Sequence, residues 1–197
     1  MRALTGVPVV LAALGIGAFL AWDAAPIPRP PTIAEGLEAF AVVKKVLQHP
    51  RCQNCHPVGD APLQFDDGRP HGMNVLRGSE GKGPPGLSCA TCHATQNPPA
   101  SYGEHMPPGA PNWHLPPAKQ KMVFKDVSAA DLCATLKDPS KTGGKDLAAM
   151  LKHVSEDKLV LWGWDPGVGR APVDVPHAEF VAAFKTWVDA GAPCPPR

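Results

Sequence analysis

The sequence predicts a mainly α fold, a small helical protein with long Pro- and Gly-rich loops and few or no strands. Three observations predict it. Apolar residues recur at helical spacing in four separated segments, 25 Pro and 19 Gly interrupt the chain between them, and two Cys-x-x-Cys-His runs punctuate the loop-rich half. At 197 residues the chain suffices for one domain with a modest core, or for two small lobes sharing an interface.

Three regions follow one another. Residues 1–24 read as a signal peptide or N-terminal membrane anchor: Arg2 is the lone positive charge, and an apolar stretch follows through Leu20. That stretch approaches the roughly 20 residues that span a bilayer. The exit Ala21-Trp22-Asp23-Ala24-Ala25 is a poor small-x-small cleavage site, so an uncleaved anchor is expected ahead of a cleaved signal. Residues 25–32, with Pro26, Pro28, Pro30 and Pro31, form a stiff Pro-rich linker. Residues 33–197 are the functional domain, placed by its leader in the bacterial periplasm or its equivalent.

Within that domain the helices have local reasons. Thr32 followed by Glu35 is a capping-box pattern, and Ile33, Leu37, Phe40, Val43 and Leu47 continue at helical spacing, predicting a helix over 33–48. Ser128 with Asp131 starts a second, which stops before Pro139. A third runs over about 145–153. Pro176 in a first turn, with Phe180, Val181, Phe184, Trp187 and Val188 on one face and Gly191 at the end, describes a fourth. The stretches 57–88 and 97–121 are too long and too rich in Gly and Pro for ordinary connections, so they are expected to be organised by a ligand.

Cys52-Gln53-Asn54-Cys55-His56 and Cys89-Ala90-Thr91-Cys92-His93 carry the chemistry. Two thiols three positions apart reach the two vinyl groups of one porphyrin, and the adjacent imidazole reaches its iron, which is the attachment pattern of c-type haem. The chain is therefore expected to carry two covalently bound c-type haems, with Cys52, Cys55, Cys89 and Cys92 as thioether positions and His56 and His93 as proximal ligands. A zinc ribbon is the competing reading. Its pairs are usually separated by roughly 15–20 residues, less than the interval from Cys55 to Cys89, and zinc would not require a histidine directly after each pair. Cys133 and Cys194 belong to neither motif, and in an oxidising compartment they are expected to pair as a disulfide rather than remain separate buried thiols.

The sixth ligand decides what each iron does: His/Met coordination raises the potential, bis-His lowers it, and an open iron permits catalysis. Candidate donors are abundant. In Arg69-Pro70-His71-Gly72-Met73 either His71 or Met73 is expected in a distal role, and His114, in the Pro-flanked run 112–117, is preferred as the second distal ligand, with His105 and Met106 as alternatives. Met122 and Met150 are further thioether candidates. His153 reads as a helix-terminal partner, His177 as structural, and His49 as packed beside the first haem. Trp162-Gly163-Trp164 reads as an aromatic turn sealing a haem edge.

Other functions find little support. A net charge of +1, from 19 basic and 18 acidic residues, gives no basic field for nucleic acid. Gly78, Gly81, Gly83 and Gly86 form no phosphate cradle, because Pro84 and Pro85 remove backbone donors and no Lys-Ser/Thr follows. No nucleophile with an adjacent base, and no close carboxylate pair, stands out.

The runs 69–75, 112–117, 121–124, 159–164 and 191–195 together resemble a small bacterial dihaem c-type cytochrome family often labelled "isoquinoline 1-oxidoreductase subunit", over about Leu47 to Pro195. The resemblance implies association with a molybdenum hydroxylase whose electrons the c-haems receive. Alone the chain could not hydroxylate an N-heterocycle, having no molybdopterin-scale domain and too few cysteines left for a [2Fe-2S] cluster. The expected function is electron transfer by a membrane-tethered periplasmic cytochrome, between a dehydrogenase or molybdenum hydroxylase donor and a cytochrome or oxidase acceptor. The alternative is a dihaem enzyme with one open iron, peroxidase-like or thiosulfate-oxidising. A haem-based sensor is a third reading, and no signalling segment supports it.

Overall fold

The computed structural model describes residues 29–197, so the leader and the first half of the Pro-rich linker lie outside the described residues. Six α-helices and a two-stranded ribbon make the described chain mainly helical, as the periodicity predicts. Helix α1 (Ile33–Leu47) starts on the expected capping box: the Thr32 hydroxyl accepts from the Glu35 N–H, and the Glu35 carboxylate accepts from the Thr32 N–H. Helix α3 (Ala129–Lys137) is capped by Ser128 and ends ahead of Pro139. Helix α4 (Leu147–Glu156) starts two residues later than the sequence predicts, because the Asp146 carboxylate accepts from the Ala149 N–H and makes Asp146 the cap. Helix α6 (His177–Asp189) takes Pro176 as its cap rather than its first turn.

Two single-turn helices escape a periodicity search, since four residues hold no apolar repeat. Helix α2 (Pro50–Gln53) carries Cys52, and α5 (Lys158–Leu161) leads into the 3-10 turn Trp162–Trp164. Strands β1 (Leu63–Gln64) and β2 (Arg69–Pro70) pair antiparallel, Leu63 opposite Pro70. Among the described residues no helix is long and apolar enough to cross a membrane.

The hydrophobic core lies where α1, α3, α4 and α6 meet. Phe40 and Val43 of α1, Leu132 and Leu136 of α3, Met150 and Val154 of α4, and Phe180, Phe184 and Trp187 of α6 are all buried. Phe40 and Trp187 approach with ring centres 5.2 Å apart. Gly36 lets α1 come this close: a Cβ there would meet the Ala190 Cβ at 2.6 Å and the Pro193 Cγ at 2.8 Å. The C-terminal segment is tied to α3 by the Cys133–Cys194 disulfide, as the cysteine count predicts. Lys137 Nζ and Trp187 Nε1 reinforce it by donating to the Ala192 and Pro193 carbonyls.

The long loops are held by polar side chains instead. Buried Arg77 donates to the Pro116 and Gly59 carbonyls at 2.6 and 3.1 Å, tying together three segments far apart in sequence. Gly81, with φ +76°, brings the same loops into contact: its carbonyl accepts from the Leu115 N–H, and a Cβ would collide with the Leu115 oxygen. Asn97 joins the second motif's loop to the aromatic turn, accepting from the Gly109 N–H and Trp162 Nε1 and donating to the Asp165 carbonyl.

Candidate functional site

Each Cys-x-x-Cys-His run borders its own cavity, and each cavity has a volume of about 200 Å³. The first lies between α2 and the helical core. Cys52, Cys55 and His56 face it, against apolar walls that include Leu47, Phe124, Val154, Phe180 and Phe184. The second lies among the loops, where Cys89, Cys92 and His93 oppose Pro62, Leu63, Phe65, Leu87 and Leu115. Arg51, Cys55 and Trp162 line both, so a single layer of side chains separates them.

The two motif histidines are held by the same device. His56 Nδ1 lies 2.9 Å from the Met122 carbonyl, and His93 Nδ1 lies 2.7 Å from the Pro108 carbonyl. A carbonyl only accepts, so Nδ1 carries the proton in each ring and Nε2 keeps its lone pair free for a metal. An aromatic ring then fixes each imidazole plane: Phe124 stacks on His56 at 3.9 Å, and Trp113 stacks on His93 at 4.4 Å with an angle of 4°. Burial pushes the His56 imidazole down to about 4 and lowers His93 as well, so both rings are neutral at pH 7.

The thiols behave oppositely. Burial, with each other's charge adding for Cys52, pushes the Cys52 thiol up to about 12 and the Cys55 thiol up to about 11. Such thiols stay protonated at pH 7, which opposes a role as a free nucleophile. Among the described residues no three His, Cys, Asp or Glu side chains converge as a metal-binding group. Two thiols and one neutral imidazole beside an apolar cavity would suit the attachment of a c-type haem. A further fit comes from unpartnered buried atoms: Arg51 Nε and Asn54 Oδ1 have no protein partner, and both residues border the second cavity. Arg51 has a side chain 1% exposed, paired with Asp66 and lying 5.9 Å over the Trp162 ring. Its guanidinium is a buried cation bordering both cavities.

His71, Met73 and His114 border the cavity of the motif other than the one they follow in sequence. His71 and Met73 follow the first motif but border the second cavity, together with His105. His114 follows the second motif but borders the first cavity, where Met150 and His153 join it. The loop after the first motif thus walls the second cavity, and the loop after the second motif walls both. Met73 is 77% exposed, with φ 61°, and so turns little of its side chain to the cavity. His114 Nδ1 donates to the Asn112 carbonyl, and His153 Nδ1 lies 3.2 Å from Asp157 Oδ2, so both leave Nε2 free.

The remaining histidines are structural. His177 donates from Nε2 to the Val154 carbonyl, and His49 caps α2 by accepting from the Arg51 N–H; His49 lines neither cavity, because that cap turns its ring aside. Sequence reasoning missed Arg51, the Met122 and Pro108 carbonyls, and the plates Phe124 and Trp113. Backbone acceptors carry no residue signature, and the Arg directly before the first Cys was the one visible signal. No family model, curated protein or solved structure matches the chain.

Proposed function

We propose that this chain is a periplasmic dihaem c-type cytochrome that transfers electrons, as a subunit or acceptor of a dehydrogenase or molybdenum hydroxylase like that implied by its resemblance. One observation carries the reading: two cavities share a wall, and each offers two thiols and an imidazole with its Nδ1 committed to a carbonyl. Cys52, Cys55 and His56 would hold one haem, and Cys89, Cys92 and His93 the other. Bound there, each haem supplies a one-electron iron couple.

The protein's own part is to keep that couple simple. Phe124, Phe180 and Phe184 exclude water from the first site, while the carbonyl bonds and stacked rings prevent either proximal imidazole from turning. Arg51 holds a positive charge between the sites. In the second site Cys92 is exposed, and this is the end a partner protein would reach. His71, Met73 and His114 are the distal candidates, and their number favours closed irons over an open catalytic one.

The test is electron paramagnetic resonance of the oxidised, matured protein, with a pyridine haemochrome assay to count haems. Two haems with two low-spin signals are expected. A stable high-spin fraction on one haem would replace this reading with the dihaem enzyme, and fewer than two haems would remove both.

A further inference from the structure

We infer that His71 is the second axial ligand of the iron held by His93, so that the second site is closed by two imidazoles. The inference rests on the two-haem reading above. The ring centres of His71 and His93 lie 6.1 Å apart. With metal–imidazole bonds of about 2.0–2.1 Å, two nitrogens across one metal lie about 4 Å apart and their ring centres about 6 Å apart.

The protonation pattern points the same way. His71 Nδ1 lies 2.9 Å from the Gly72 carbonyl, as His93 Nδ1 lies 2.7 Å from that of Pro108. Both rings therefore carry their proton on Nδ1 and keep Nε2 as a bare donor. The β1–β2 ribbon places His71 there: the chain turns back after Gln64, and the His71 N–H donates to the Pro62 carbonyl at the cavity edge. Of the other donors bordering this cavity, Met73 is 77% exposed, and His105 is engaged edge-on by Phe65 with ring centres 5.0 Å apart.

Two imidazole rings at this separation also make an aromatic contact, and substitution separates the two roles. His71→Phe keeps an aromatic ring and removes the donor; His71→Met keeps a donor and removes the ring. The matured protein and both variants are compared by haemochrome, electron paramagnetic resonance and near-infrared magnetic circular dichroism. With two haems retained, His71→Phe is expected to turn one low-spin signal high-spin, and added imidazole to restore it. His71→Met is expected to bring in the charge-transfer band of a thioether ligand. In the parent protein the 65° angle between the rings leaves the two iron dπ orbitals nearly degenerate, so a strongly anisotropic low-spin signal is expected and is read without any variant. Two unchanged low-spin signals in His71→Phe, or a parent protein lacking bis-imidazole charge transfer, overturn the inference. A parent chain with no covalent haem overturns the two-haem reading instead.

Discussion

Replacing Cys133 and Cys194 together by Ala removes a cross-link between residues 61 apart in sequence. Neither haem-motif pair lies inside that loop, so covalent haem would not already restrain it. For a closed loop of this length the chain-entropy relation gives about 4 kcal/mol of destabilisation at 25 °C. Folded contacts should persist, because Trp187 Nε1 and Lys137 Nζ still hold the Pro193 and Ala192 carbonyls. The effect therefore acts mainly on the unfolded chain, and for a protein of this size it corresponds to a fall in Tm of roughly 8–16 °C. The assay is thermal unfolding of the matured protein followed by far-UV circular dichroism, with haems counted before heating. Parent protein treated with a thiol reductant supplies an independent arm, since reduction opens a disulfide and leaves thioethers intact. An unchanged Tm in both arms would refute the reasoning. Loss of haem from the double variant would show that the C-terminal tie shapes the cavities directly.

Three other outcomes are expected. Gly36→Ala forces a methyl group against Ala190 and Pro193 and should cost about 1–3 kcal/mol, read as a lower denaturant midpoint with unchanged haem spectra. Glu35, held down to about 2 by Arg29 and by hydrogen bonds from Thr32, adds stability that is fully present above its ordinary 4.5 and is lost as pH falls toward 2; the midpoint gap between parent and Glu35→Gln should therefore close over that interval. Arg51→Gln removes a buried cation bordering both cavities and should lower both midpoint potentials, whereas Asp66→Asn should raise both; potentiometric titration showing the same sign for the two variants would count against an electrostatic role.

The helical half of the fold was legible because its signals are local. The Thr32/Glu35 box, the Ser128 cap and the apolar face of α6 each sit within one or two turns, and each forms where the sequence places it. The loops were not legible in the same way. Their order comes from Arg77 reaching Gly59 and Pro116, and from Asn97 reaching Asp165, contacts whose partners are backbone carbonyls and so carry no residue type to recognise. The candidate site divides along the same line. The Cys-x-x-Cys-His runs fix their own cavity walls by spacing, whereas the distal donors depend on which loop crosses which cavity.

That crossing has a consequence for how the molecule is assembled. Residues 57–88 leave the first motif and wall the second cavity with Pro62, Phe65 and His71; the segment after the second motif returns to wall the first with His114 and Pro116. Arg51 strengthens the exchange, since it precedes the first motif yet donates to the Phe65 carbonyl on the other cavity's wall. Neither half then encloses a complete cavity without the other, although each motif binds its own cysteines and histidine locally. A chain divided just before the second motif would part His71 from the second cavity and His114 from the first motif while keeping both attachment sequences. The long Pro- and Gly-rich loops are in this sense structural elements: their length is what two interlocked cavities with a single shared wall require.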